Sequence, residues 1–460
     1  MRSIILLCSN ESPVLTASKL LYQRIQDITY ALKGESSWSP TIEEIEQTHA
    51  VYVSAHFKPY VATAFEYIKV APVKCGFNTT IEFPIPAGGE FINDIVCHVK
   101  ISAVTAKKSE SGVSSVRYCE FPGNRLFEKV SLEVDDKVLS SYSYWLPTML
   151  EKTRIMPHKR TGYNRLVGQQ NTLIGMSEVK NIAGGSAQEE IRYTGPQTPK
   201  PVQPPLELWN KLHFWFTDDV KLSLPLESLL IGKRFIKLQI AAVENILFGE
   251  YDTPTVECEL YINNIFINAE VMDIIMSRAS FTLARLYHER NVSSDGPDVY
   301  KNSGTIDILV NGSKPFEYIF LGCIPNENKK SWRNWHRFSQ QNETATDGCT
   351  YWETQPTIDK LEITANGITM YNNAESTFYN SYMPFRYGSE ILTPDDTGVL
   401  FINFSLFPGQ YQPSGHFDFR RARESYYKIT PNIDTPMTII ALSSYIAFLT
   451  VDKSSVHFNN

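Results

Sequence analysis

The sequence predicts an all-β protein built from antiparallel sandwiches or jelly rolls. Aromatic residues make up 12% of the chain, with 25 Phe and 24 Tyr, and 26 Pro and 24 Gly interrupt the apolar runs. This composition is typical of strands joined by turns. From residue 50 onward, short alternating patterns follow one another, whereas helical patterns are few and short. Many short strands with rare helices indicate sandwiches or jelly rolls.

The predicted strands extend to the end of the chain. In the first half they are 79–85, 95–104, 128–134, 137–141, 211–216, 220–224 and 234–241. In the second half they are 257–262, 265–268, 280–286, 305–310, 316–323, 360–365, 368–371, 399–407, 416–419 and 438–451. Short helices are predicted at 143–154, 269–278 and 374–381.

Residues 1–49 differ from the rest and predict a short helical N-terminal arm. Apolar residues recur there at helical spacing, and Thr41 with Glu44 forms a capping-box pattern for a second helix. Such an arm either packs on its own domain or reaches a neighbour or an underlying layer, and the sequence leaves both alternatives open.

An internal repeat indicates that the chain is duplicated. KVSLEVDDKVLSSYSYWLPTML begins at Lys129, and KLEITANGITMYNNAESTFYNSY begins at Lys360, 231 residues later. Each copy reads as a strand, a two-residue turn, a second strand and a segment that turns helical. Asp135-Asp136 and Asn366-Gly367 supply residues that tolerate the positive φ of such turns. The alternative, two unrelated hairpins, is common in β proteins, but the spacing favours a tandem duplication.

The length of 460 residues favours two large domains. With residues 242–256 as the natural junction, we predict an arm at 1–49, a first β domain at 50–245 and a second at 246–460.

Charge and composition argue against several classes of protein. The net charge is −7, whereas a protein that binds nucleic acid over its whole surface is normally basic, so no specific nucleic-acid partner is expected. The seven cysteines include no CxxC pair, which favours a reducing compartment. We expect neither a signal peptide nor a transmembrane segment, because the apolar runs are too short.

Motifs of catalysis are missing from the sequence. It contains no phosphate-binding glycine loop, no HExxH and no GxSxG, so we predict no catalytic, cofactor-binding or metal residues and no enzymatic activity. Asp395-Asp396 in TPDDTG is predicted to form a turn, and Asp218-Asp219 the tip of a hairpin.

Two segments are candidates for contacts. FRRARE at 419–424 is the dense basic cluster, and it suggests a phosphate-binding patch, a subunit contact or a solvated strand end. SWRNWHRF at 331–338 interleaves aromatics with Arg333 and Arg337, which could stack on bases. We favour an anchor against the domain or a partner, because Trp and Arg dominate interfaces.

Seven blocks of sequence carry a family resemblance. They are AHFKPYVATAFEYIKV (55–70), YCEFPGNRLFEKVSLEVD (118–135), TGYNRLVGQ (161–169), GPQTPKPVQPPLELWNKLHFWF (195–216), ELYINNIF (259–266), TPDDTG (393–398) and YQPSGHFDFRRARE (411–424). In this order they resemble the major capsid proteins of asfarviruses and of the wider group of nucleocytoplasmic large DNA viruses.

The resemblance implies two tandem eight-stranded jelly rolls, a homotrimeric capsomer and a place in an icosahedral virion assembled in the host cytoplasm. It also implies contacts with neighbouring capsomers, with penton and minor capsid proteins, and with an inner viral membrane layer through the N-terminal arm. The loops at 135–195 and 240–257 are shorter than in asfarvirus relatives, so the outer surface of those proteins cannot be carried over.

Four residues are predicted to lie at the contact between subunits: Trp209, Trp215, Arg420 and Arg421. The proline segment that precedes Trp209 is assigned to the same contact. A β-sandwich carbohydrate-binding module or glycosidase and a minor capsid protein are the alternative functions. The former needs an exposed aromatic platform with convergent carboxylates, and the latter is usually a single jelly roll.

Overall fold

The computed structural model describes residues 63–459 except for short gaps. These gaps are 73, 87, 108–114, 170–171, 180–187, 227–232, 269, 273–280, 298, 303, 311–313, 347–348, 423 and 453–454. The predicted helical arm and most of the predicted helix at 269–278 therefore lie outside the described residues.

Sixteen strands build two modules, which we call the first roll and the second roll. The first roll consists of β1 Thr63–Val70, β2 Thr80–Pro84, β3 Phe91–Ile101, β4 Phe127–Val134, β5 Lys137–Ser143, β6 Leu206–Lys211, β7 Arg234–Ile240 and β8 Val256–Ile267. The second roll consists of β9 Phe281–Ser293, β10 Thr305–Leu309, β11 Pro315–Pro325, β12 Ile358–Ala365, β13 Ile368–Glu375, β14 Val399–Asn403, β15 Ser425–Pro431 and β16 Met437–Asp452.

Both rolls have the same strand order. In the first roll one sheet runs β1-β8-β3-β6 and the other β2-β7-β4-β5. In the second roll the sheets run β9-β16-β11-β14 and β10-β15-β12-β13. When the strands are numbered from one to eight within each roll, the two sheets of either roll have the orders 1-8-3-6 and 2-7-4-5. The paired strands are antiparallel. This is the strand order of an eight-stranded jelly roll, so the fold prediction of two tandem jelly rolls is confirmed.

Apolar side chains at every second position explain why these segments form strands with one buried face. In β7, Ile236, Leu238 and Ile240 are buried, while the residues between them are half-buried. Burying one such face against the opposite sheet stabilises each sandwich, at roughly 25 cal/mol per Å² of apolar surface. Strand β11 is instead buried along its whole length, on both faces. Both faces of this strand are therefore covered by other parts of the chain.

The internal repeat corresponds to equivalent elements. The first copy is the hairpin β4–β5, whose turn residues Asp135 and Asp136 have φ of 51° and 62°. The second copy is β12–β13, with φ of 53° at Asn366 and 76° at Gly367. These positive φ values are the ones that the turn chemistry predicts. Each hairpin leads into a helix, as the repeat also predicted.

Shorter elements connect the strands. The helices are α1 Pro122–Arg125, α2 Trp145–Arg154, α3 Pro157–Leu166, α4 Asn326–Lys330 and α5 Met383–Tyr387, the last continuing a π-helical turn at Phe378–Tyr382. Single turns of 3₁₀ helix lie at Trp215–Thr217, Val220–Leu222, Val243–Asn245 and Phe419–Arg421. Additional strands are Val104–Thr105, Arg117–Tyr118, Thr172–Val179, Gln188–Thr194, Val202–Gln203, Leu224–Pro225, Leu247–Phe248, Val299–Asn302, Ser339–Thr346, Cys349–Pro356, Phe417–Asp418 and Ser455–Asn459.

Several expectations need correction. Most of the residues predicted as strands at 211–216 and 220–224 form irregular backbone and two single 3₁₀ turns, Trp215–Thr217 and Val220–Leu222. The Asp219 carboxylate accepts from the backbone N–H of Lys221 at the start of the second turn, so Asp218-Asp219 is not a hairpin tip. The segments 257–262 and 265–268 form one strand, β8, which pairs with β1 and β3 of the first roll. This pairing favours a division between the rolls after residue 267 over the predicted one at 245. Within the described ranges, no helix has the length and apolar character needed to cross a membrane.

Candidate assembly surfaces

The two rolls meet at a surface that we call the seam. It is formed on the first roll by α1, α2 and the residues before α1, and on the second by residues 331–338 and 389–398. Eight of the ten residues of α2 are buried. A helix on the surface of one roll would keep a solvated face, so the second roll must cover the other side of α2.

Residues 331–338 anchor the second roll in the first. Trp335 is 1% exposed, and its indole Nε1 donates to the carbonyl oxygen of Glu120 at 2.5 Å. The guanidinium of Arg125 lies 5.0 Å from the centre of the Trp335 ring. Phe338 packs on Trp145 of α2, with ring centres 5.8 Å apart. The prediction that this segment anchors against the domain matches these contacts.

A buried polar chain crosses the middle of the seam. Lys152 Nζ lies 3.3 Å from His336 Nδ1, and His336 Nε2 lies 2.9 Å from Glu120 Oε2. A neutral imidazole satisfies both neighbours, because Nδ1 accepts from the ammonium while Nε2–H donates to the carboxylate. Burial, with Lys152 and Arg337 nearby, holds the pKa of His336 well below its usual value. Burial also raises the pKa of Glu120.

The segment before β14 closes the seam from the other side. The Leu392 backbone N–H donates to the carbonyl oxygen of Thr153 at 2.6 Å, and Asp396 lies 3.5 Å from Lys152 Nζ. Asp396 also accepts from the backbone N–H groups of Phe338 and Gly398, so the predicted TPDDTG turn is confirmed. The turn fixes a carboxylate opposite α2.

A third set of contacts covers the outer face of β11. Arg154 Nη2 donates to the Tyr318 hydroxyl at 2.6 Å, and that hydroxyl lies 3.1 Å from the hydroxyl of Tyr287. At the edge of the seam, the Ser143 hydroxyl donates to the Glu289 carboxylate at 2.7 Å. The end of α2 therefore covers β11 at Tyr318.

The two tryptophans predicted at the subunit contact occupy different environments. Trp215 is 2% exposed and packs edge-on against Phe458 at 5.5 Å. Its side chain has no surface left for a second chain, so we do not retain it as a contact residue. Trp209 is half-buried on β6, with its ring stacked on His98 at 4.0 Å, and part of it stays accessible.

Of the two arginines, Arg420 is exposed, and its side chain pairs with Asp418, two residues earlier in the chain. Its Nε and Nη2 donate to the two carboxylate oxygens of Asp418 at 2.8 and 3.0 Å. Its backbone N–H donates to the same carboxylate. Arg421 ends the same 3₁₀ turn, and its side chain lies outside the description. Trp209, Trp215 and Arg420 thus have three different local environments.

Sequence reasoning missed Lys152, Glu120 and the acid group of Asp396 as members of one site. Each lies in an unremarkable local pattern, and their proximity arises only when the two rolls pack. The alternation of aromatic and basic residues at 331–338 was the signal that pointed to this region.

Two jelly rolls of identical strand order, locked side by side through a buried seam, define a double jelly-roll protein. Residues 52–268 match the family model described as the major capsid protein N-terminus. The chain is 28% identical to the hexon protein p72 of African swine fever virus over 628 aligned positions, covering 96% of each chain. An alignment longer than the 460 residues here requires insertions in the relative, which agrees with the shorter loops of this chain.

Solved structures give the same result. The Faustovirus major capsid protein superposes with a TM-score of 0.75 and 26% identity, covering 95% of this chain and 98% of that one. A chain of the PBCV-1 virus capsid matches with a TM-score of 0.65 at 15% identity, over 88% of this chain and 98% of that one, and thus shows the fold. The chain therefore has the double jelly-roll fold and is similar in sequence to the major capsid proteins of African swine fever virus and Faustovirus, so the resemblance recognised in the sequence is confirmed.

Proposed function

We propose that three copies of the chain form a ring-shaped capsomer that tiles the icosahedral shell of a large DNA virus. The observation that carries the proposal is the duplication itself. Two rolls of equal topology in each chain, taken three times, give six similar units around a threefold axis. Such a pseudo-hexagonal outline tiles a flat facet, and a closed ring satisfies head-to-tail contacts without leaving an open end.

The seam supports this role because a facet needs rigid units. Its apolar packing and buried hydrogen bonds fix one roll relative to the other, so each chain contributes a defined third of the ring. The proposed role is structural and involves no catalysis. In the virion, neighbouring capsomers, penton and minor capsid proteins are the proposed partners, and assembly is proposed to take place in the host cytoplasm. An inward-facing N-terminal arm near the inner viral membrane layer belongs to the same proposal.

Mass photometry of the purified chain tests the capsomer. We expect a stable species near three times 52.3 kDa, because an obligate contact of this kind buries on the order of 2,000–5,000 Å². A population that stays at the mass of one chain at micromolar concentration contradicts the proposal.

Replacing Arg420 and Arg421 together by Ala tests their place at the subunit contact. A shift from three chains towards one supports it, whereas an unchanged trimer assigns Arg420 to its local pairing with Asp418 alone. The Trp209→Ala variant serves the same purpose on the first roll.

A further inference from the structure

The two rolls use equivalent helices very differently. In the first roll, the helix after the β4–β5 hairpin is α2, which is buried almost all round between the two rolls. In the second roll, the helix after the β12–β13 hairpin comprises residues 378–387, which we call the docking helix. On it, Tyr382 is 51% exposed and Phe385 is 84% exposed.

The docking helix exposes two aromatic side chains. The Tyr382 ring stacks on Phe378 with centres 5.5 Å apart and an angle of 24°. Phe385 follows Tyr382 by three residues, the spacing that places two side chains on one side of a helix. Two other residues of the helix, Tyr379 and Met383, are buried. Tyr382 and Phe385 thus present a ridge of two aromatic rings outward.

The seam shows what the equivalent helix contacts. Through Thr153 and Lys152, α2 packs on residues 389–398, the segment that precedes β14. Strand β14 is the sixth strand of the second roll, and its counterpart in the first roll is β6. The segment that precedes β6 ends in residues 199–205, which we call the proline segment.

The proline segment has the surface that an aromatic ridge requires. Its exposed residues are Pro199, Pro201, Val202, Pro204 and Pro205. Residues Val202–Gln203 pair with Val104–Thr105, and the buried Gln203 side chain donates to the carbonyl oxygens of Val116 and Thr198. Prolines on a fixed, extended backbone form the kind of surface that aromatic side chains recognise, at low cost in conformational entropy.

We propose that the docking helix of one copy binds the proline segment of the next copy, repeating between chains the contact that α2 makes within the chain. The partner that binds the aromatic ridge is therefore a second copy of this protein. The contact is head-to-tail, because helix and proline segment lie on different rolls, and three such contacts close a ring. This inference rests on the proposed trimer and names the surfaces that build it.

Mixing two variants tests the contact. Phe385→Asp removes the ridge but keeps the proline segment, and Val202→Asp does the reverse. Each variant alone is expected to lose the three-chain species by at least about tenfold at a concentration where the original chain is trimeric, as for hot-spot residues. Mixed, they are expected to form a species of two chains, because one intact helix meets one intact proline segment and the ring cannot close.

Ile368→Asp is the matched control. Ile368 is 69% exposed and lies at the far end of β13, roughly 25 Å along the strand from the helix. It is expected to leave the trimer unchanged, and circular dichroism of all variants checks their fold. A trimer that persists in folded Phe385→Asp, or a mixture without two-chain species, overturns the inference while leaving the capsomer intact. A chain that is monomeric before any substitution instead contradicts the proposed function.

Discussion

His336 shows how a single side chain can be held in one protonation state by its two neighbours. Its Nδ1 faces the Lys152 ammonium at 3.3 Å, so a proton added there would meet a positive charge. The folded state therefore binds protons less readily than the unfolded chain, in which a histidine has a pKa of about 6.5. This contribution to stability is complete above that value and is lost as the pH falls below it. The loss approaches about 1.4 kcal/mol for each pH unit until the folded pKa is reached.

The variant His336→Gln is expected to remove this acid sensitivity. A glutamine amide can accept from Lys152 through Oε1 and donate to Glu120 through Nε2, as the neutral imidazole does. At pH 7.5 the Tm of the variant is expected to lie within a few degrees of the Tm of the unsubstituted protein. Between pH 6.5 and 5, the Tm of this variant is expected to fall less steeply than the Tm of the unsubstituted protein.

Differential scanning calorimetry across this range supplies the comparison. The pKa of His213 is lowered to about 4 by burial and that of His288 is also lowered, but both are present in the two proteins, so the difference isolates His336. Parallel Tm curves would show that His336 does not carry the effect.

At the scale of the element, the loop 331–338 joins two rolls that would otherwise be separate sandwiches. Trp335→Ala removes a ring that is 1% exposed and a hydrogen bond to the Glu120 carbonyl oxygen. The expected loss is about 3–5 kcal/mol, as for other buried aromatic residues. Because the lost contacts lie between the rolls, a single calorimetric transition is expected to broaden or divide into two.

Trp332→Ala is the control for this loop. Trp332 is half-buried, and the Arg117 guanidinium lies 4.5 Å from its ring, a contact worth about 0.5–1 kcal/mol at an exposed site. Its effect is expected to be several times smaller and to leave one transition. Equal shifts for the two variants would mean that the loop acts as a whole and that Trp335 is not its anchor.

The elements also show how far the sequence could predict the fold. Turn chemistry at Asp135-Asp136 and Asn366-Gly367, together with alternation in the flanking strands, was sufficient for both hairpins and for the duplication. Local patterns failed at 211–224, where a run rich in Phe, Trp and Leu reads as strand. There Thr217 accepts from the Phe214 backbone N–H and donates to backbone carbonyls, which turns the chain. Side-chain to backbone bonds of this kind leave little trace in periodicity.

The candidate site was predicted only in part, for a related reason. The aromatic and basic alternation at 331–338 marked an anchor, but its partner Glu120 lies 216 residues away. Trp215 was assigned to a subunit contact as part of an aromatic-rich predicted strand, yet it packs against Phe458 of the same chain. Composition can indicate that a residue needs a partner, whereas only the packing of the rolls decides whether that partner lies in the same chain.

At the scale of the whole molecule, the covalent link between the rolls distinguishes the seam from the proposed contact between chains. A short linker holds its ends at an effective concentration in the millimolar range, so a tethered contact can be weaker than an untethered one and still form. The trimer contact forms between separate chains, so no linker raises the effective concentration of its two surfaces. If the seam and the contact between chains are built in the same way, the two rolls should also associate through the seam without the linker.

Cutting the chain after residue 268 tests this equivalence. Co-expressed fragments 1–268 and 269–460 are expected to associate through α2 and residues 331–338, and to assemble further into a particle near three times 52.3 kDa. Adding Trp335→Ala to the second fragment is expected to weaken the pairing of the fragments, because it removes the anchor of the seam, and mass photometry reads both steps. Fragments that separate on a sizing column, while the intact chain stays trimeric, would show that the seam depends on its tether and that the ring is not built from six equivalent contacts.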